Sequence, residues 1–392
     1  MNKTKIFINP HASVTIDNFP VGNEAFEFHK KLPGYNMSPL INASTIAAAL
    51  QVEKVWVKDE SSRFGLPAFK ILGASYAIYK VLIKRLGKEI SPWNTFDDLK
   101  KFFESLKPLT FIAATDGNYG RAVARMAKLL GFSSHIFVPK GTVPVRIDAI
   151  KNEGAKVTIV DGTYDDCVIE AKEIASDKNI VISDTAWEGY MEIPLWIMEG
   201  YTTILKELDI QLAEKGFPQV DVVTAQMGVG GLATGIVWHY KRPDRIHKPK
   251  IVGVESLIAD CVLESVKKGY IVAVPGPHTS IMAGLNCGVM STVSLPILSK
   301  GIDVFVAIDD NFTKEAMRKL ANTGIVSGET GASGLAGLLA LLQGENKDRN
   351  RQLLGITEKS HIVILSTEGA NDPVAYEKIV GKSSNYMDFM LH

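Results

Sequence analysis

Lys70 ends the run Ser61-Ser-Arg-Phe-Gly-Leu-Pro-Ala-Phe-Lys70 and opens a helix-like stretch with apolar neighbours on both sides. Desolvation and the positive end of a helix both disfavour an ammonium at such a place, leaving the free amine that Schiff-base chemistry needs. The plain structural alternative is a lysine whose stem covers apolar surface while its amine reaches water. A second element, Met227-Gly-Val-Gly-Gly-Leu-Ala-Thr-Gly235, falls between a strand-like and a helix-like run. Glycines admit close backbone approach, and their amides together with a helix N-terminus form a cradle for phosphate. The same residues satisfy a dinucleotide fingerprint, Gly228-x-Gly230-x-x-Ala233, with Glu255 placed where a ribose-binding acid would stand. A nicotinamide oxidoreductase is therefore an open alternative at this point.

The third element is Ala114-Thr-Asp116-Gly-Asn118-Tyr-Gly120-Arg. Gly117 permits a tight turn, and Asp116 and Asn118 are good helix-capping types. Asn118 equally suits a ring hydroxyl of a flat cofactor, since its amide donates. Asp184, in Ser183-Asp-Thr-Ala-Trp, is a further anionic candidate, with turn formation as its structural alternative. Glu329, in Val326-Ser-Gly-Glu-Thr-Gly-Ala332, reads either as a carboxylate near a bound ring or as a helix cap.

These residues need rigid elements to hold them. Short β-rich runs alternate with amphipathic stretches, the pattern of mainly parallel sheets flanked by helices, so the fold class is α/β. Strands are expected at 110–114, 135–138, 156–160 and 180–183, with helices near 119–131, 144–153 and 165–176. A second series is expected at 220–224, 251–254, 304–308 and 361–365, and the N-terminal hundred residues are expected to complete this larger lobe. The resulting division is a large domain, 1–97 with 200–392, and a small α/β domain, 98–199, inserted in it. The crevice between the lobes is the expected ligand site. At 392 residues the chain exceeds what one core usually serves.

Composition narrows the partners. Apolar residues at 46% and charged residues at 22% are ordinary for a compact chain, and zero formal net charge without a basic stripe argues against nucleic acid. Cys167, Cys261 and Cys287 lack metal-ligand spacing, so no metal site is expected, and they are expected to be thiols. No apolar window reaches membrane-spanning length and no signal peptide is indicated, so a cytoplasmic location and a small-molecule partner are expected.

A lysine before a helix, an Asn-bearing strand-to-helix turn, a mid-chain glycine loop and Ser366-Thr367 after the last strand form an ordered set. That set resembles the fold-type II pyridoxal-phosphate (PLP) enzymes, which include threonine dehydratase and the β subunit of tryptophan synthase. Within them it is most similar to the diaminopropionate ammonia-lyase family, through Lys58-Asp-Glu-Ser-Ser-Arg-Phe-Gly-Leu-Pro-Ala-Phe-Lys70, Ala114-Thr-Asp-Gly-Asn-Tyr-Gly-Arg121, Ser183-Asp-Thr-Ala-Trp-Glu-Gly-Tyr190 and Leu365-Ser-Thr-Glu-Gly-Ala370. The resemblance implies that Lys70 holds the cofactor as a Schiff base and that Asn118 meets its phenolic oxygen. Gly228, Val229, Gly230, Gly231 and Leu232 would bind the phosphate, and Ser366 or Thr367 would face the pyridine nitrogen. Thr115, Asp116, Asp184 and Tyr190 would surround the substrate, and a homodimer is implied.

Asp116 departs from the wider group, whose hydroxy-amino-acid dehydratases carry Ser there to hold the substrate carboxylate. A carboxylate would repel that group, so Asp116 fits a substrate with a second amino group, or a base acting on the Cα proton. The implied reaction is α,β-elimination of 2,3-diaminopropionate to pyruvate and ammonia, on both enantiomers, with Lys70 serving one face and Asp116 the other. A serine or threonine dehydratase and a non-catalytic sensor of amino acids or PLP are the other readings.

Overall fold

The computed structural model describes residues 3–17, 22–88, 90–115 and 117–384. Among these, eleven strands are present: β1 (Thr4–Ile8), β2 (Leu40–Asn42), β3 (Lys54–Asp59), β4 (Thr110–Ala114), β5 (Ser133–Pro139), β6 (Lys156–Val160), β7 (Asn179–Val181), β8 (Val222–Gln226), β9 (Lys250–Ser256), β10 (Val304–Ile308) and β11 (His361–Ser366). They form a seven-stranded sheet in the order β1-β10-β9-β8-β11-β3-β2 and a four-stranded sheet in the order β6-β5-β4-β7. The chain is α/β, as its alternating pattern predicts.

The seven-stranded sheet belongs to a compact unit made of residues 1–20, 37–62 and 204–392. Its five central strands run parallel, and β1 and β2 close the two edges in antiparallel register. Strands β8, β10 and β11 are buried on both faces along nearly their whole length, as parallel strands under helices must be. The helix Glu329–Leu342, Glu-Thr-Gly-Ala-Ser-Gly-Leu-Ala-Gly-Leu-Leu-Ala-Leu-Leu, is buried along its whole length. A helix apolar all round has no face for water, and this one packs across β8, β9, β10 and β11.

The four-stranded sheet is parallel throughout and belongs to a second compact unit, residues 21–36 and 63–203. Its core joins Ile112, Phe137, Val160, Cys167 and Val181. All eight expected strands are present with ends shifted by up to two residues. Strands β1, β2 and β3 were not assigned from the pattern, two of them being short antiparallel edges. Their positions support the expectation that N-terminal residues complete the larger sheet, but only for residues 4–8 and 40–59. Residues 63–97 group with the four-stranded sheet instead, because the helix Lys70–Leu86 packs against the helix Asn118–Leu130. A sequence pattern shows that a helix has an apolar face; it does not show which sheet receives it.

Candidate active site

Lys70 is the first residue of its helix, reached through a tight turn. Phe64 and Gly65 both have left-handed φ values, 54° and 70°, and the Leu66 amide donates to the Arg63 carbonyl. Left-handed backbone at a bulky residue costs roughly 1–2 kcal/mol, and the surroundings hold it: the Phe64 ring lies against Tyr35 and His29, and Arg125 Nη1 reaches the Phe64 carbonyl. Downstream, the helices Lys70–Leu86 and Glu192–Glu214 cross at two glycines. A Cβ at Gly73 would stand 2.5 Å from the Tyr201 ring, and one at Gly200 would stand 2.5 Å from the Leu72 carbonyl oxygen. The missing side chains let the Tyr201 ring lie flush against the helix that carries Lys70.

The Lys70 amine is framed by aromatic rings, with the centroids of Phe69, Tyr119 and Tyr201 at 5.4, 5.7 and 6.0 Å. Burial pushes the Tyr119 and Tyr201 phenols up, so both stay protonated across the neutral range. The side chain of Lys70 is 24% exposed, and its Nζ lies 3.2 Å from Asp184 Oδ2. The amine thus meets a carboxylate as well as the rings. Asp184 follows the end of β7 and accepts a second hydrogen bond from Tyr164, 3.0 Å to Oδ1.

Strands β4 and β7 are parallel neighbours, so their carboxyl ends deliver residues to one edge. After β4, the Thr115 hydroxyl accepts from the Gly117 amide at 2.8 Å, and Asn118 begins the helix whose next residue, Tyr119, faces Lys70. Asp116 lies outside the described residues. The Tyr190 hydroxyl is engaged by backbone, donating to the Val181 carbonyl and accepting from the Ser183 amide. Lys70, Asp184, Thr115 and the start of the Asn118 helix are thus gathered in one unit. Tyr201, Tyr164 and Phe69 escaped the sequence reading, although Phe69 adjoins Lys70 and aromatic residues near a lysine are a readable signal.

The other unit gathers the rest. The loop after β8 turns its carbonyls away: Gly228 O lies 3.7 Å from Cys261 Sγ, Val229 O accepts from the Ser291 amide, and Gly230 O accepts from the Thr234 amide and hydroxyl. The first amides of the helix Gly231–Lys241 have no partner one turn back, as in any helix. With carbonyls engaged and amides available, the loop is built for an anion. A Cβ at Gly228 would meet the Gly284 carbonyl oxygen at 2.9 Å and Cys287 Sγ at 3.2 Å, so the loop has no room for a side chain there. Cys167, Cys261 and Cys287 are thiols.

Glu255 decides against the nicotinamide alternative. Its carboxylate is fully buried, and its two oxygens accept the Val262 and Leu263 amides at 2.8 Å each. Burial raises its pKa well above the usual carboxylate range. An acid committed to a helix start cannot hold a ribose diol.

Strand β11 is parallel to β8 and brings Ser366 and Thr367 to the same edge as the glycine loop. The Ser366 hydroxyl donates to Ser327 Oγ at 2.9 Å, whereas the buried Thr367 hydroxyl has no hydrogen-bond partner among the described residues. Gln226 ties the ends together, Nε2 donating to the Leu365 carbonyl at 2.6 Å and to that of Gly331 at 3.2 Å. Glu329 is the first residue of its helix and is buried, but the carboxylate that accepts from the helix amide of Thr330 is Glu368, at 3.0 Å. Glu368 escaped the sequence reading because it is distant in the chain from the helix it caps. The anion cradle and the unmatched hydroxyl of this unit, and the amine in an aromatic frame of the other, each have the chemistry that a flat, phosphorylated aldehyde requires. Among the described residues no cluster suited to a metal ion occurs, and no helix is long and apolar enough to cross a membrane.

Comparison with known proteins agrees with that fit. A family model described as pyridoxal-phosphate dependent enzyme matches residues 31–358. A diaminopropionate ammonia-lyase of Salmonella typhimurium is 37% identical over 380 residues, covering 94% of each chain. Crystal structures of the Escherichia coli diaminopropionate ammonia-lyase are also similar, at 34% identity with 97% of each chain covered. One, in complex with an aminoacrylate-PLP azomethine reaction intermediate, has a TM-score of 0.86, and another, in complex with D-serine, has 0.87. Matched in this way over nearly its full length, the chain belongs to the pyridoxal-phosphate dependent enzymes, in the diaminopropionate ammonia-lyase family.

Proposed function

We propose that the chain is a PLP-dependent lyase that converts 2,3-diaminopropionate and water to pyruvate and two ammonia molecules, acting on both enantiomers. The observation that carries this is the Lys70 amine held in an aromatic frame 3.2 Å from Asp184, in a chain whose relatives perform the named reaction. Lys70 would hold the cofactor covalently, Asn118 would meet its phenolic oxygen, and the amides of Gly228, Val229, Gly230, Gly231 and Leu232 would take its phosphate. Thr367, with its unmatched hydroxyl, is the better partner for the pyridine nitrogen, because Ser366 is already bonded to Ser327. When bound, the cofactor supplies an electron sink for the pair released as the Cα proton leaves.

The residues do the rest. The Lys70 amine would take the Cα proton of the L-isomer, with Asp184 beside it to steady the resulting ammonium. The D-isomer presents its proton to the opposite face, where Asp116 acts. The D-serine complex of the E. coli relative supports binding of a D-amino acid. Asp184, with Thr115, also attracts the substrate's second amino group, which a hydroxyl would not reward with charge. The β-amine departs as ammonia, and the enamine left behind hydrolyses in water to pyruvate and the second ammonia. Assembly as a homodimer rests on the family resemblance, and light scattering tests it.

The test is product stoichiometry with L- and D-2,3-diaminopropionate beside L-serine and L-threonine. One pyruvate and two ammonia per diaminopropionate, with the hydroxy acids turned over more slowly, supports the lyase. Faster turnover of serine or threonine would make the chain a dehydratase, and no turnover of any would leave the sensor reading.

A further inference from the structure

We propose that Tyr190 is a positioning residue that acts through Asp184, its hydroxyl standing in for a missing strand at the edge of the four-stranded sheet. Strand β7 is an edge strand, paired with β4 on one side only. Just past its end, the Ile182 amide still donates to the Ile112 carbonyl of β4. The neighbouring polar groups, the Val181 carbonyl and the Ser183 amide, therefore point the other way, where no strand follows among the described residues. The Tyr190 hydroxyl answers both, donating to Val181 O at 2.8 Å and accepting from Ser183 N at 2.9 Å. Val181 and Ser183 are both buried, so neither group has water as an easy substitute.

The strut is itself braced. Trp187 and Tyr190 exchange backbone hydrogen bonds across a tight turn, and their rings stack at 4.1 Å between centroids with planes 11° apart. The Lys172 amine lies 3.7 Å above the outer ring. The residue that follows the fixed amide is Asp184, whose carboxylate bridges Tyr164 and Lys70. Fixing the backbone at 181–183 thus aims a carboxylate that is in contact with the Lys70 amine. Tyr190 has no further hydroxyl hydrogen to offer a substrate, so its part in the reaction is to hold Asp184.

This inference rests on the lyase reading for its kinetic arm and on geometry alone for its structural arm. Tyr190→Phe keeps the stacked ring and removes the hydroxyl. Amide hydrogen exchange on the purified full-length protein is expected to show faster exchange at residues 183–185 in Tyr190→Phe, with protection elsewhere unchanged. In turnover, Tyr190→Phe is expected to lower kcat about ten-fold, a partial loss of a general-base contribution, with KM within about two-fold. In an Asp184→Asn background the same change is expected to lower kcat by less than about two-fold, because residues acting as one unit are not additive. Unaltered exchange at 183–185 would remove the strut, whatever the enzyme's substrate. Altered exchange with fully additive kinetics, or a rise in KM alone, would overturn action through Asp184 and make Tyr190 a substrate contact. If wild-type protein released no pyruvate, the lyase reading would fail while the exchange result still decided the strut.

Discussion

Two neighbouring hydroxyls at the end of the last strand differ in a way that only coordinates reveal. Ser366 is bonded to Ser327, and Thr367 is buried without a partner among the described residues. Thr367→Val, which keeps the shape, is therefore expected to leave stability of the cofactor-free protein unchanged or raised while weakening PLP binding by about ten-fold, the worth of about one net hydrogen bond. Ser366→Ala is expected to lower that stability by about 1 kcal/mol with a smaller effect on affinity. Urea unfolding and PLP titration of the two variants separate these outcomes. Under the proposed two-base assignment, Asp116→Asn is expected to lower turnover of D-diaminopropionate by a factor of about 10² or more and to spare the L-isomer. Parallel kinetics on the two enantiomers check it; equal losses would contradict the two-base assignment. The lysine and the glycines were legible as residues because their types are rare in those settings. Asp184 was legible as an acid but not as the partner of Lys70, because 114 residues separate them.

At the scale of elements, close approach governs the site. The helix of Lys70 crosses that of Tyr201 through Gly73 and Gly200, and Gly73→Ala would place a Cβ 2.5 Å from the Tyr201 ring. Overpacking of this kind costs about 1–3 kcal/mol, so a lowered urea midpoint and a displaced visible band of bound PLP are expected together. A second junction joins the helices Glu192–Glu214 and Gly231–Lys241, where His239 Nε2 lies 2.9 Å from Asp209 and from Arg245. Burial, with the Arg245 and Lys206 charges nearby, lowers His239 from 6.5 to about 4. The unfolded chain therefore takes up this proton first as pH falls. Stability from this residue is present in full above about 6.5 and is lost as pH falls toward about 4, on the order of 3 kcal/mol in all. Urea unfolding between pH 7 and 4 is expected to show that slope, and His239→Gln is expected to flatten it. The eight strands with short runs rich in apolar and β-branched residues were legible from pattern. The edges β1 and β2 were not, since three to five residues with one exposed side give little periodicity.

For the whole molecule, the α/β class followed from alternation of strands and helices, and the family from four motifs spread across the chain. What alternation did not convey was the destination of residues 63–97, because helix packing partners depend on shape complementarity that local periodicity does not encode. Likewise the fingerprint of glycines allowed two cofactors, and the choice fell to Glu255, whose burial against a helix start is a tertiary fact. The central claim is the covalent hold on PLP by Lys70. Borohydride reduction of the purified protein with PLP, followed by peptide mass mapping, tests it most directly. The account predicts loss of the visible band and one phosphopyridoxyl group on the peptide containing Lys70, absent in Lys70→Ala. Labelling of another lysine, or of none, would contradict it.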